Sequence, residues 1–316
     1  MKITVIGCGR WGSFIARYLD EIGHTVTLYG RSGSARMQEL IETRKNSHMT
    51  LPESVGLSTS LSEATRDAEI VVVSIGSQQL RALLRELQTV EGTLVLCMKG
   101  LEMGSGKRLS EIVREELGDG VSLAVWLGPG HVQEFCAGVP NCMVIDSESE
   151  PVKRMLVDSF SSNLIRFYYG RDMIGNEIGA AAKNVIGIAA GFLDGMKLST
   201  LKGALMSRGT REVARLIAAL GGNELSAYGL CHLGDYEATV FSSHSHNRRF
   251  GEAFVCGEEF GELAEGYYTV RALTLLAERC GVELPICRTV EDVLYNGVPA
   301  ATALPRLFER SLKNEF

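Results

Sequence analysis

The chain has 316 residues, of which 45% are hydrophobic and 22% charged, and its formal net charge is -6. That length accommodates two domains of about 150 residues each, and the mild acidity argues against a general binder of nucleic acid or anionic membranes while leaving room for a local basic pocket for a small anion. No apolar run reaches the ~20 charge-free residues of a membrane span, and the eight cysteines show neither a C-x-x-C pair nor a Cys/His metal spacing, which predicts a reduced, cytoplasmic chain without disulfides.

Residues 2–6 form a β-branched strand, with no charged leader before it, that runs directly into Gly7-Cys8-Gly9-Arg10-Trp11-Gly12. Residues 13–19 have helical character, Gly23-His24 marks a break, and 25–29 reads as a second strand. A G-x-G-x-x-G set between a strand and a helix, with a strand after it, is the context of a dinucleotide fingerprint. Gly7 allows the tight turn, Gly9 lets backbone approach a pyrophosphate, and Gly12 lets helix and strand pack closely. The diphosphate then rests on the helix N-terminus. The competing reading is a purely structural Gly-rich turn. The second strand ends Tyr29-Gly30-Arg31-Ser32, without the Asp or Glu that bonds the ribose 2′-hydroxyl of NAD. NADP is therefore expected in preference to NAD, with Arg31 at the 2′-phosphate; a surface role for Arg31, or stacking on the adenine of either cofactor, are the alternatives.

Residues 70–75 are a continuous apolar run, as in a strand buried on both faces of a parallel sheet, and 76–79 turn into a helix near Leu80. Residues 93–98 form a similar strand ending on Lys99-Gly100, and 122–126 lead into Leu127-Gly128-Pro129-Gly130-His131. Strands at 143–145 and 165–169 complete the set. Strands alternating with helices predict a doubly wound parallel sheet whose ligands lie at the carboxyl ends of strands. Lys99 and the Gly128-Pro129-Gly130 turn sit at such ends, although Lys99 read alone is an ordinary solvated loop lysine.

From Asp172 onward β-runs give way to helical patterns, which divides the chain into a dinucleotide-binding domain, 1–172, and a helical domain, 173–316. Residues 176–192 are small or apolar at nearly every position, the mark of a buried helix. Lys183 sits in the middle of this stretch and is followed by Asn184. Positions 180, 183, 184, 187 and 191 share one helical face, a shallow trough of Ala, Lys, Asn, Gly and Gly. Burying an unpaired ammonium costs several kcal/mol on an order-of-magnitude scale. Either Lys183 snorkels to water along its stem, or it is a positioned proton donor whose pKa burial depresses.

Residues 205–220 are amphipathic, with Arg208, Arg211, Glu212 and Arg215 at polar positions, and Gly221-Gly222 ends them. Beyond lie Gly234-Asp235, Thr239 and a polar loop, 242–249. That loop has the arginine and hydroxyl donors that match a phosphate; a plain solvated loop is the alternative. His244 and His246 lack Cys or acidic ligands at metal spacing, so no metal is expected.

With these pieces placed, the chain resembles the NAD(P)-dependent glycerol-3-phosphate dehydrogenase family over nearly its full length. The resemblance is carried by Gly7 to Gly12, Lys99-Gly100-Leu101-Glu102, Gly128-Pro129, Ala182-Lys183-Asn184-Val185-Ile186, Ser207-Arg208-Gly209, Leu233-Gly234-Asp235, Asn247-Arg248-Arg249-Phe250-Gly251 and Glu265-Gly266. The adjacent Lys-Asn is more specific than the glycine fingerprint. The resemblance implies an α/β N-terminal Rossmann-like doubly wound sheet followed by an all-α C-terminal domain. It also implies a cytoplasmic enzyme that interconverts dihydroxyacetone phosphate and sn-glycerol 3-phosphate with NADP or NAD, for phospholipid precursor synthesis. A homodimer is the default assembly of such an enzyme.

In that family the residue matching Lys183 is the proton donor or acceptor at the substrate oxygen, with Asp235 holding it and Lys99 and Asn184 completing the catalytic set. Substrate contacts are implied for Lys99, Gly128, Gly130 and Lys183, and for Asp235, Thr239, Ser245, His246 and Asn247. Cofactor contacts are implied for Gly7, Gly9, Arg10, Trp11, Gly12 and Arg31, and for Lys99, Val132, His246, Leu263 and Glu265. The chemistry agrees with these roles. Negative charge builds on oxygen as hydride reaches a carbonyl carbon, and a buried ammonium both stabilises it and supplies the proton. Lys99 and the Asn247 loop gripping the phosphate let remote binding energy orient the reacting carbon.

The sequence also departs from the family. His246 stands where an Arg is usual, Gly130 where Ser or Thr is usual and Val132 where Ala is usual; the segment after Asp194-Gly195, residues 196–200, is shortened and lacks Gly-Asp-Asn. Each departure touches the substrate pocket, which supports a second reading: a divergent member reducing another small phosphorylated or acidic carbonyl. A third, a non-catalytic NADP sensor on the same fold, leaves Lys183 and Asp235 without a purpose.

Overall fold

A computed structural model describes residues 1–307; the end of the expected helical domain, 308–316, lies outside the described residues. The chain divides into two units, one made of Met1–Lys99 and Arg108–Glu177, the other of Gly100–Lys107 and everything from Ile178 onward.

In the first unit strands and helices alternate: β1 (Lys2–Ile6), α1 (Arg10–Glu21), β2 (Thr25–Tyr29), α2 (Ala35–Thr43), β3 (Gly56–Ser58), α3 (Leu61–Thr65), β4 (Ile70–Val73) and α4 (Leu80–Leu87). They continue with β5 (Thr93–Leu96), α5 (Leu109–Leu117), β6 (Leu123–Leu127), α6 (Val132–Cys136), β7 (Asn141–Asp146), α7 (Glu150–Phe160) and β8 (Ile165–Tyr169). The eight strands form one sheet in the order β3-β2-β1-β4-β5-β6-β7-β8. β1 is an interior strand, with Ile3 paired to Val26 on one side and Ile70 on the other. β4, β5 and β6 are buried at every residue, as their near-continuous apolar runs require when helices cover both faces. β8, an edge strand, exposes Arg166, Tyr168 and Tyr169 while burying Ile165 and Phe167. Trp126 anchors the core, with Phe167 edge-on at 5.0 Å and Phe160 at 5.6 Å.

One pairing departs from the parallel expectation: β7 runs antiparallel to β6. The connecting α6 has only five residues, a rise of about 7 Å, too little to carry the chain back along a strand before it re-enters the sheet. The chain therefore returns from the end at which it left. β3, three residues long, carries no strand signal in the sequence.

The second unit is helical: α8 (Met173–Gly195, begun in the last residues of the first unit), α9 (Lys202–Ala219), α10 (His246–Cys256), α11 (Glu265–Cys280), α12 (Pro285–Tyr295) and α13 (Ala300–Ala303). Along α8, Ile178, Ala180 to Ala182, Val185, Ile186, Ile188 to Ala190, Phe192 and Leu193 are all buried. Its small residues are there because neighbours approach at backbone distance. A Cβ on Gly191 would lie 2.0 Å from the Arg248 carbonyl oxygen, and one on Gly251 2.2 Å from that of Ile188. A Cβ on Gly266 would meet the Asn184 carbonyl oxygen at 2.7 Å. The excursion 100–107 joins this unit through Arg279, whose guanidinium donates to Ser105 O at 2.6 Å.

Candidate active site

The glycine turn after β1 has the shape its spacing predicts. Gly7 adopts φ +117°, and a Cβ there would stand 2.2 Å from Ser74 O; a Cβ on Gly12 would stand 1.9 Å from Gly7 O. Neither position admits a side chain, so α1 packs directly on the turn. Gly9 caps α1 with extended backbone and no side-chain hydrogen bond, and the first turn holds no acid. That leaves N–H donors and the positive helix end for an anion. Those N–H donors, beside a Gly9 that has no side chain to stand over them, fit a dinucleotide pyrophosphate. Arg10 opens the helix. Trp11 is half-buried, its ring 5.3 Å from Phe14 and 6.0 Å from Phe135. Arg31 is exposed just past β2. The Arg36 guanidinium, unremarked in the sequence, reaches within 3.9 Å of where a Gly9 Cβ would stand. It adds a second cation at this end of the sheet.

Lys99 follows β5, and its Nζ donates to Gly128 O at 2.5 Å, so two sequence-derived candidates meet in the turn beyond β6. Gly128 and Gly130 both take positive φ, +127° and +141°. The missing hydroxyl side chain at Gly130 has a local cause. A Cβ there would lie 2.3 Å from the Phe135 ring, which stacks on Phe14 at 5.1 Å. Phe135 takes the space, and it was not singled out from sequence. Val132, at the first residue of α6, is buried in the same cluster.

In the second unit Lys183 does not snorkel. It is 8% exposed, its Nζ 2.7 Å from Asp235 Oδ2 and donating to Thr239 Oγ1 at 2.9 Å. Both partners are 1% exposed. Asp235 closes a 3₁₀ turn, Leu233–Asp235, and Thr239 sits in a π-turn, Glu237–Phe241, a local form often found at functional sites. The buried ammonium is thus paired, the condition under which such a charge is tolerated.

Asn184, the next residue, accepts from Asn247 Nδ2 at 3.0 Å through its Oδ1, while Asn247 Oδ1 accepts from Gly266 N at 2.9 Å. The amide pair ties α8, α10 and the start of α11 together. Ser245 caps α10, its Oγ accepting from Arg248 N at 3.3 Å. The Nδ1 of His246 is 3.3 Å from Leu263 O and its Nε2 is 3.1 Å from Glu262. Leu263 is exposed, and Glu265 is the first residue of α11. The polar loop is not merely solvated: Arg248 pairs with Asp194 at 2.7 Å and Glu252 at 2.9 Å, and Arg249 with Glu262 at 3.2 Å.

Two residues beside Asp235 escaped notice. His232 and Tyr236 are both fully buried. His232 Nδ1 is 2.8 Å from Gly179 O, and its Nε2 is 2.7 Å from the Tyr236 hydroxyl. Their signal was an i, i+4 His/Tyr pair bracketing an acid inside an apolar stretch. Burial first, with Lys183 nearby also contributing, pushes the His232 imidazole down to about 4, against the hydrogen bond to Gly179. Among the described residues no group of three His, Cys, Asp or Glu is arranged to hold a metal, and no helix is long and apolar enough to cross a membrane.

Family models for the N-terminus and the C-terminus of NAD-dependent glycerol-3-phosphate dehydrogenase match residues 2–153 and 172–305. A glycerol-3-phosphate dehydrogenase [NAD(P)+] of Prosthecochloris aestuarii is 34% identical over all of both chains. One from Bacillus anthracis is 35% identical over 99% of this chain and 97% of its own. The solved structure of glycerol-3-phosphate dehydrogenase from Coxiella burnetii superposes with a TM-score of 0.91 at 28% identity, covering 98% of this chain and 99% of that one.

Proposed function

Because the chain belongs to the NAD-dependent glycerol-3-phosphate dehydrogenase family, we propose that it reduces dihydroxyacetone phosphate reversibly to sn-glycerol 3-phosphate, a phospholipid precursor, using NAD(P)H. The observation that carries this reading is the buried Lys183 ammonium held between Asp235 and Thr239. The dihydronicotinamide, when bound, supplies hydride to the carbonyl carbon. Lys183 Nζ stabilises the charge that grows on the carbonyl oxygen and gives it a proton. Asp235 and Thr239 fix the direction of that N–H and keep the amine charged until it reacts. In the reverse direction the neutral amine takes the hydroxyl proton.

Residues 1–172 are the cofactor-binding domain and 173–316 the catalytic domain in this reading. The turn from Gly7 to Gly12 holds the pyrophosphate, and Trp11, Val132, Leu263 and Glu265 contact the cofactor. Lys99, Ser245, His246 and Asn247 bind the phosphate end of the substrate. Arg31 supports a preference for NADP, since β2 ends without an acid that would repel a 2′-phosphate. The reading also places the enzyme in the cytoplasm as a homodimer.

Purified protein is expected to oxidise NADPH in the presence of dihydroxyacetone phosphate faster than it oxidises NADH. Arg31→Ala should raise the KM for NADPH about tenfold, the loss of one charge-assisted phosphate contact, and leave that for NADH within twofold. Lys183→Ala should lower kcat at least a thousandfold with the fold intact by circular dichroism. Full activity in Lys183→Ala would overturn the mechanism. Turnover of a different phosphorylated or acidic carbonyl, with none of dihydroxyacetone phosphate, would select the divergent-substrate reading that His246, Gly130 and the shortened segment 196–200 support.

A further inference from the structure

We propose that His232 and Tyr236 are positioning residues for the proton donor: together they pin the turn carrying Asp235 and Thr239 to the helix carrying Lys183. The inference rests on Lys183 being that donor.

Gly179 lies one turn before Lys183 on α8, so by α-helical geometry its carbonyl accepts from the Lys183 backbone N–H. The same carbonyl is 2.8 Å from His232 Nδ1. A carbonyl oxygen only accepts, so Nδ1 carries the ring proton and Nε2 is left as an acceptor. The Tyr236 hydroxyl, 2.7 Å away, donates to it. The two rings pack edge to face at 4.9 Å, and Thr210 Oγ1 on α9 lies 3.5 Å from the phenol oxygen. Close approach is built in: a Cβ on Gly179 would meet His232 Cβ at 3.0 Å, and one on Gly209 the Tyr236 hydroxyl at 3.3 Å.

Asp235 and Thr239 fall within and just after the segment that this clamp fixes. The segment's own backbone hydrogen bonds, Asp235 N to His232 O at 3.0 Å and Val240 N to Tyr236 O at 2.7 Å among them, set its shape. The clamp sets where that shape stands against α8 and so where both Lys183 partners lie. The charged groups facing the pair are Lys183 on α8, Asp235 on the same turn and Glu212 on α9, with the Cys287 thiol of α12 also near the phenol. An imidazolium at His232 would stand against the Lys183 ammonium and lose the acceptor that Tyr236 needs. The clamp therefore works in its neutral form.

His232→Leu removes both hydrogen bonds, Tyr236→Phe removes one, and His232→Asn keeps an N–H near the place of Nδ1. With dihydroxyacetone phosphate and NADPH, His232→Leu is expected to lower kcat at least tenfold with the KM for NADPH within twofold. His232→Asn should restore most of the lost rate. The telling readout is the alkaline limb of the kcat profile. Reduction needs the ammonium, and a loosened Asp235 favours it less, so that limb should move to lower pH in His232→Leu and Tyr236→Phe. A purely structural role would lower the melting temperature and the active fraction but leave the limb where it is. An unchanged limb in both folded variants overturns the inference, as does His232→Asn falling as far as His232→Leu. Loss of activity in Lys183→Ala alongside that result would leave the proton-donor reading standing.

Discussion

At the scale of single residues, the chain pairs each unusual side chain with a neighbour that accounts for it. Gly130 is one case. It is the place where Phe135 lies, and Phe135 in turn packs on Trp11 and Phe14. Gly130→Ser is therefore expected to destabilise the protein by about 1–3 kcal/mol, from overpacking on the ring and from a side chain at φ +141°. Combined with Phe135→Leu, the loss should be smaller than the sum of the two single losses by at least about 0.5 kcal/mol, because the clash is shared. Denaturant melts of the four proteins in the cycle measure this; strict additivity would show that the ring does not dictate the glycine. Lys183 is the other case. Its presence in an apolar helix was visible in the sequence, and the family resemblance implied Asp235 as its holder, but Thr239 as a second partner, 56 residues away, required the fold.

At the scale of elements, α8 is tolerable as a helix of glycine and alanine only because α10 and α11 approach its backbone so closely. Helix starts show the same economy of groups. Glu212 on α9 caps α12, accepting from Ile286 N at 2.9 Å and Cys287 N at 3.0 Å. Glu212→Ala should cost about 1–3 kcal/mol, the range for stranding buried backbone donors. Burial is the largest influence on this carboxyl and raises it to about 7, with the two N–H groups pulling the other way. A pKa raised in the folded state means that folding favours the protonated acid. The stabilising contribution from that proton is complete below the usual 4.5 and is lost as pH rises through 7. Glu212→Gln, which does not titrate, should flatten the change in stability between pH 5 and pH 8 relative to the parent. An equal slope in both proteins would mean that Glu212 is ionised throughout.

At the scale of the whole molecule, ligand binding and stability are linked. If the Gly7 to Gly12 turn holds NADPH, the cofactor at a hundred times its Kd should stabilise by about 2.7 kcal/mol the calorimetric transition that melts the first unit. Gly12→Ala, whose Cβ would stand 1.9 Å from Gly7 O, should abolish most of that shift; a full shift in the variant would place the cofactor elsewhere. Sequence alone determined the αβ alternation, the glycine turn, the buried helix around Lys183 and the family, because strand runs, turn glycines and helical periodicity are local and survive in a linear reading. Tertiary structure alone decided the antiparallel entry of β7, the passage of residues 100–107 into the second unit, and the capping of α12 by a residue of α9. It also decided what stands around the lysine besides Asp235, which the family resemblance implied: Thr239 and, behind them, His232 and Tyr236. Those pairings depend on which backbones come within hydrogen-bond reach across long stretches of chain, and no local pattern records that distance.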